Sequence, residues 1–269
     1  MCGILGFTGN AKENKWGETH RILKAMFLAS EHRGRDATGF AAITAPYKKP
    51  HTSTIIVEKQ AIPVRRFIKH DSTWRGLRHQ RCSLLIGHVR LATHGDPNDP
   101  SNAHPFSSKD GRLHVVHNGI IENYVTLQKY LTDKGHPFTS QTDTEVLAVL
   151  IGELYDGNLE KAVQAALREV TGAYAIAVVC DGETNTLVCA RKGSPLIVGI
   201  ADQSYVVASD ASAIIAHTTQ VITLDDYQVV KLCAGSMDKL TPDGGPWSVD
   251  FKTTTIDNTT VMPQVSKID

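Results

Sequence analysis

Two packed antiparallel sheets flanked by helices, an α+β architecture, are what this sequence predicts. Segments of strand character outnumber those of helical character, and they follow one another through short turns instead of alternating with helices as a doubly wound parallel sheet requires. The 269 residues, 41% hydrophobic and 21% charged, suffice for a sizeable core in one large domain or two small ones.

The elements follow in order. Gly3 to Gly9 is a short apolar run closed by Gly and Asn, which suits a buried strand. Ile22, Leu23, Met26 and Phe27 recur at helical spacing and predict a helix over 18–31, stopped before Gly34. Strands are expected at 38–44 and 54–59 around a Pro- and Lys-containing turn, and at 83–92. The stretch 93–110, with Gly95, Pro97, Pro100 and Pro105, is a polar loop of a length that tends to carry function. A strand at 114–117 precedes helices at 123–134 and 143–155, the second capped by Thr142 or Asp143 with Glu145 in its first turn. A helix at 159–170 leads into strands at 173–180, 186–190, 196–200 and 205–208. A helix at 211–217 and strands at 221–224 and 228–232 complete the domain, 2–234. Residues 235–269 read as an edge strand and a loose tail. No internal repeat or low-complexity segment is evident.

Composition excludes several classes. With 28 basic and 28 acidic residues the net charge is zero, so neither nucleic acid nor an anionic membrane is expected as the main partner. No apolar run reaches the roughly 18–20 residues that span a bilayer, and no secretory leader is visible. The five cysteines Cys2, Cys82, Cys180, Cys189 and Cys233 are odd in number and lack paired spacing, so a reducing cytoplasm and four core thiols are expected.

The fifth cysteine is the most informative residue. Removal of Met1 turns Cys2 into a residue with a thiol and a free α-amine. Their unperturbed pKa values, about 8.5 and about 7.7–8.0, let the amine take the thiol proton near neutral pH. An N-terminal amine is a recognised base for such a nucleophile.

Four other clusters could serve it. Arg33-Gly34-Arg35-Asp36 places a basic residue and a tight turn between the first helix and the second strand, and would also suit a solvated turn. Arg90 sits in an otherwise apolar strand and needs an anionic partner, either an internal carboxylate or a ligand's. Asn118-Gly119 closes a strand with two donors that could face one oxyanion, or forms an ordinary turn. Asp143 offers a carboxylate at a helix start.

In this order, with Asn102-Ala103-His104-Pro105, His117-Asn118-Gly119-Ile120-Ile121-Glu122-Asn123 and Thr142-Asp143-Thr144-Glu145, the chain resembles the class II glutamine amidotransferases. Their glutaminase domain belongs to the N-terminal-nucleophile hydrolases, and the likeness is to the branch that makes amino-sugar phosphates. The resemblance implies a four-layer αββα sandwich with two central antiparallel sheets. It implies that Cys2 attacks the side-chain amide of L-glutamine with its own amine as base, and that Asn118 and Gly119 hold the oxyanion. Arg90 would clamp the substrate carboxylate and Asp143 its ammonium, Thr93 and His94 would line the pocket, and Arg33 would orient the N-terminal residue. No cofactor or metal is implied.

Two departures stand out. Leu91 and Arg35 occupy positions that are usually aromatic in that branch, and the first is implicated there in gating ammonia. The synthases also continue for hundreds of residues into an acceptor domain, whereas this sequence stops at Asp269; an ammonia-acceptor enzyme in trans is the expectation, with an excised domain or a plain glutaminase as the alternatives. The rival within hydrolases is an N-terminal-Cys amidase acting on another amide, whose apolar substrate would leave Arg90 and Asp143 unmatched. A metal-binding reading is prompted by His88, His94, His104, His114 and His117, none of which forms an i, i+4 pair with an acidic neighbour.

Overall fold

Strand β1 (Gly3–Gly9) is buried along its whole length. A strand apolar on both faces belongs inside a sandwich, and alternation sorts its side chains: Leu5 and Phe7 face a helical layer, Ile4 a second sheet. The computed structural model describes residues 2–9, 16–46, 53–93, 95–201, 204–234, 236–240 and 254–255.

After β1 come α1 (Trp16–Ser30), β2 (Ala37–Pro46), β3 (Thr54–Gln60), α2 (Val64–His70), α3 (Ser72–Leu77), β4 (Gln80–Arg90), β5 (Phe106–Ser107) and β6 (Leu113–Ile121). Then follow α4 (Tyr124–Asp133), α5 (Asp143–Glu153), α6 (Leu159–Glu169), β7 (Gly172–Cys180), β8 (Thr186–Lys192), β9 (Ile197–Ala201) and β10 (Ser204–Ala208). Strands β11 (Gln220–Thr223), β12 (Gln228–Cys233), β13 (Ser236–Leu240) and β14 (Thr254–Thr255) complete the described elements.

They form two sheets in the orders β14-β11-β9-β10-β1-β4-β2-β3 and β13-β12-β8-β7-β6-β5. Every pairing between described strands is antiparallel. Three apolar clusters separate the layers. One packs α1, α2 and α3 on the first sheet, through Phe27, Phe67 and Trp74. A second lies between the sheets, where Ile86 and Val207 meet Ala177 and Leu187. A third packs α4, α5 and α6 on the second sheet, through Leu131, Leu147 and Val163. The expected α+β architecture is thus present, as helix, sheet, sheet and helix.

The expectations need four corrections. The region 61–82, left unassigned by the sequence reading, holds α2 and α3. Each buries just two side chains, Val64 with Phe67 and Trp74 with Leu77, too short a pattern for helical periodicity to register. The helix expected at 211–217 is reduced to a 3-10 turn at Ala211–Ala213, where the Asp210 side chain accepts from Ser212 N, and Thr218 already binds Ile200 O. Strand β6 runs to Ile121, so Asn118 and Gly119 are paired with Ala175 and Tyr174 inside a ladder and form no turn. Thr142 occupies the cap position of α5 without a side-chain capping bond, because its hydroxyl pairs with Ser140 Oγ at 3.0 Å. Glu145 instead reaches back to Ser140 N at 2.7 Å and Thr139 N at 3.0 Å.

The five cysteines are free thiols; Cys82, Cys180 and Cys189 are buried, whereas Cys233 is only half-buried. Among the described residues no helix is long and apolar enough to cross a membrane. Beyond β13 and β14, the expected C-terminal tail lies outside the described residues.

Candidate active site

Cys2 stands at the threshold of β1, between β4 and β10. Its Sγ accepts from Leu91 N at 3.2 Å and lies 3.3 Å from Leu91 O. Its carbonyl accepts from Arg33 Nε at 2.9 Å and from Asn118 Nδ2 at 3.0 Å. Burial pushes the thiol pKa up, while the Leu91 N–H and the Arg90 and Arg33 guanidiniums pull it down. A thiol in this position needs a base to become a nucleophile.

Local backbone chemistry brings these groups together. Gly34 lets the turn after α1 pass against the end of β4, since a Cβ there would come within 2.5 Å of Arg90 C. Asp36 tightens the same junction, donating its N–H to Arg90 O at 3.0 Å and accepting from Ala92 N at 2.7 Å. Arg33 is thereby held beneath Cys2, with Asp210 Oδ2 3.4 Å from its Nη1. Gly119 has φ +136°, and a Cβ there would meet Ala173 O at 2.0 Å, so the approach of β6 to β7 at the cavity mouth requires glycine.

A cavity of about 290 Å³ opens over Cys2. That is near the lower end of ligand pockets, about 300–1,000 Å³, and suits a small molecule. Arg33, Arg90, Thr93, Asn118, Gly119 and Asp143 all line it. His94, also expected in the pocket, lies outside the described residues. Arg90 is 4% exposed and donates from Nη1 to Asp96 O at 3.4 Å, with Asp36, Asp96 and Asp99 as charged neighbours. Asp143, from the start of α5, accepts Ile121 N at 2.7 Å. One cavity therefore combines a thiol, a cation and a carboxylate.

His104, His117 and Thr144, which the sequence places in the motifs of the resemblance without a role in the pocket, also line the cavity, as do Ser194 and Pro195, which it does not single out. A Gly-Ser-Pro turn directly after β8 was a legible hint for the last two, and Gly193 there has φ +77°. Ser209, whose Oγ accepts from Ile4 N at 2.9 Å and Asn118 Nδ2 at 3.0 Å, and Asp210 become relevant only once β10 is known to pair with β1.

The loop 93–110 is tied to the entrance of α5. Asn102 Oδ1 accepts Gln141 N at 2.9 Å, and Gln141 Oε1 accepts Asp96 N at 3.0 Å. Buried imidazoles lie below. Burial pushes His88 down to about 3 and His114 down to about 4, and drives His104 and His117 down as well. Among the described residues no group of three or more His, Cys, Asp or Glu side chains could hold a metal ion.

These neutral rings make stability pH-dependent. Their folded pKa values lie below the unfolded value of about 6.5, so between that value and the folded one the unfolded chain binds more protons. Stability is full above about pH 6.5 and is lost as the pH falls. For His88 alone the loss from pH 8 to pH 5 is expected to be about 2 kcal/mol. Urea unfolding at pH 8, 6.5 and 5 checks this; a flat profile would contradict neutral burial.

Residues 65–242 match the model of the glutamine amidotransferase domain family. The chain is 40% identical over 233 residues to glutamine--fructose-6-phosphate aminotransferase [isomerizing] of Clostridium tetani, covering 86% of this chain and 35% of that protein. It is 38% identical over 269 residues to the protein of the same name from Symbiobacterium thermophilum, covering 100% of this chain and 39% of the relative. The chain thus spans little more than a third of these relatives' length. Among solved structures, glutamine phosphoribosylpyrophosphate amidotransferase from B. subtilis superposes with a TM-score of 0.72 at 23% identity, over 91% of this chain and 50% of that one. That likeness concerns the fold.

Proposed function

The chain belongs to the class II glutamine amidotransferase family, and from that premise we propose that residues 2–234 form a glutaminase domain that splits L-glutamine into glutamate and ammonia. The observation that carries this reading is the meeting of Cys2, Arg90 and Asp143 in one small cavity. A guanidinium for a carboxylate and a carboxylate for an ammonium suit a free amino acid, whose neutral side-chain amide is then turned toward the thiol.

The chemistry follows from the groups present. After Met1 is removed, the α-amine of Cys2 takes the thiol proton and Sγ adds to the side-chain carbonyl carbon. The oxyanion is met by Asn118 Nδ2 and Gly119 N–H. In the resting structure Asn118 Nδ2 is bonded to Cys2 O and Ser209 Oγ, so it exchanges its bond to Cys2 O for the oxyanion as that charge forms. Collapse expels ammonia, which takes the proton held by the Cys2 ammonium, and leaves a thioester. Water activated by the same amine hydrolyses it to glutamate and the free thiol. Arg33 keeps the residue in place through Cys2 O, and Thr93 lines the wall.

We place the ammonia acceptor on a separate partner enzyme and the protein in the cytoplasm, where its five free cysteines stay reduced. The test is ammonia release by protein whose intact mass shows Met1 removed. Release from glutamine, but not from acyl-glycine amides, is expected; no release from glutamine, with or without a co-purified partner, would overturn the reading. Protein that keeps Met1 should be inactive, its amine being locked in a peptide bond.

A further inference from the structure

A side-chain amide is nearly symmetric in shape, so packing alone does not decide whether its nitrogen or its oxygen faces a given neighbour. At Asn118 that choice decides the chemistry, because only the nitrogen can donate toward Cys2. In the structure Nδ2 faces Cys2 O and Ser209 Oγ, and Oδ1 lies 2.9 Å from His88 Nε2. Ser209 can donate or accept and so leaves the polarity open. Cys2 O favours the nitrogen only until the amide turns to a substrate oxyanion. A neutral imidazole with its proton on Nε2 can only donate at that atom, and it fixes the oxygen on its own side throughout.

His88 comes from β4 and Asn118 from β6, so this bond joins the two sheets directly behind the nucleophile. His88 is 1% exposed, and its ring stacks on His104 with centroids 4.0 Å apart and planes 17° from parallel. His104 is itself held, its Nδ1 accepting His117 N at 3.2 Å. The loop that carries it is clasped by Lys59, whose Nζ donates to Ser101 O, Ala103 O and Pro105 O at 3.2, 2.7 and 3.3 Å. Asp143 and Arg90 hold the substrate in the functional reading and reach this assembly indirectly: the Arg90 charge helps to keep His88 and His104 neutral, and Thr144 Oγ1 lies 3.5 Å from Asp143 Oδ1 and 2.9 Å from His117 Nδ1.

We propose that His88, held flat by His104, is the positioning residue that fixes the polarity of the Asn118 amide, nitrogen toward Cys2 and oxygen away. This rests on the glutaminase reading above. His88 touches no substrate, so its loss acts on turnover through Asn118.

The test compares His88→Phe, which keeps a ring but has no donor, with His88→Gln, which places an amide nitrogen near the Nε2 position. His88→Phe should lower kcat roughly 10–100-fold, less than loss of the donor itself, with KM for glutamine within about 3-fold. His88→Gln should restore kcat to within about 3-fold of the parent. Equal kcat in the parent and His88→Phe, or failure of Gln to do better than Phe, would overturn the proposal. Should His88→Phe not fold, His88→Asn, too short to reach Oδ1, replaces it in the comparison with Gln, and equal rates are again fatal. Independently of activity, nitrogen-15 NMR of histidine-labelled protein at pH 7 should show His88 protonated at Nε2 and bare at Nδ1. The opposite tautomer would refute the geometry even in an active enzyme, whereas an inactive parent with the expected tautomer would refute the glutaminase reading alone.

Discussion

Cys2→Ala abolishes ammonia release from glutamine, by a factor on the order of 10⁴–10⁶, while the protein keeps its fold. The size of the loss follows from the thiol's being the nucleophile: alanine keeps the α-amine but has nothing to attack with, and no other described thiol lines the cavity, Cys82, Cys180 and Cys189 being buried elsewhere. The fold survives because, among the described residues, Sγ bonds only to the backbone of Leu91, and Leu91 is 43% exposed, so water can replace the lost partner. Arg33 and Asn118 bind the carbonyl of residue 2, which alanine retains. The measurement is glutamate or ammonia production beside a thermal melt; substantial turnover with an unchanged melt would show that another group performs the attack.

Much of this arrangement was legible in the amino-acid sequence, and the parts that were not share a physical cause. The long strands and the helices α1, α4, α5 and α6 bury a periodic face of several residues, so local patterning reveals them. Helices α2 and α3 each bury two side chains and draw their stability from Phe27, Phe40 and the underside of the first sheet, which are remote in sequence. The same division holds in the site. Cys2 and Arg90 are odd residues for their local settings, whereas Asn118, Gly119 and Asp143 suit an ordinary turn and a helix start there, and only the family resemblance singles them out. Ser209 and Asp210 look ordinary along the chain, and His88 and His104 prompt only a metal-binding reading there; all four matter because β10 lies beside β1 and β4 faces β6 across the sandwich. Asn118-Gly119 shows the limit from the other side: the dipeptide favours a turn, yet β7 holds it extended, and the left-handed φ of Gly119 is spent on a close approach to Ala173 O.

The other large effect is expected at Asn118. Asn118→Ala should lower kcat roughly 10²–10³-fold, the scale of one oxyanion donor, with KM for glutamine little changed. The substitution also leaves His88 Nε2 without its acceptor in a site where His88 is 1% exposed, so a stability loss of about 1–3 kcal/mol should accompany it. The two effects can be separated. Asn118→Asp keeps an acceptor for His88 and should recover most of the stability, but its carboxylate offers no hydrogen to the oxyanion and adds a repelling charge beside it. Activity should therefore stay as low as in Asn118→Ala or fall further. A variant pair in which KM rises and kcat holds would instead make Asn118 a ground-state substrate contact. A pair in which activity tracks the melting temperature would reduce it to a brace between the sheets. Low kcat in both variants, with stability restored only in Asn118→Asp, is the outcome that follows when the nitrogen of this amide serves the transition state and its oxygen serves the fold.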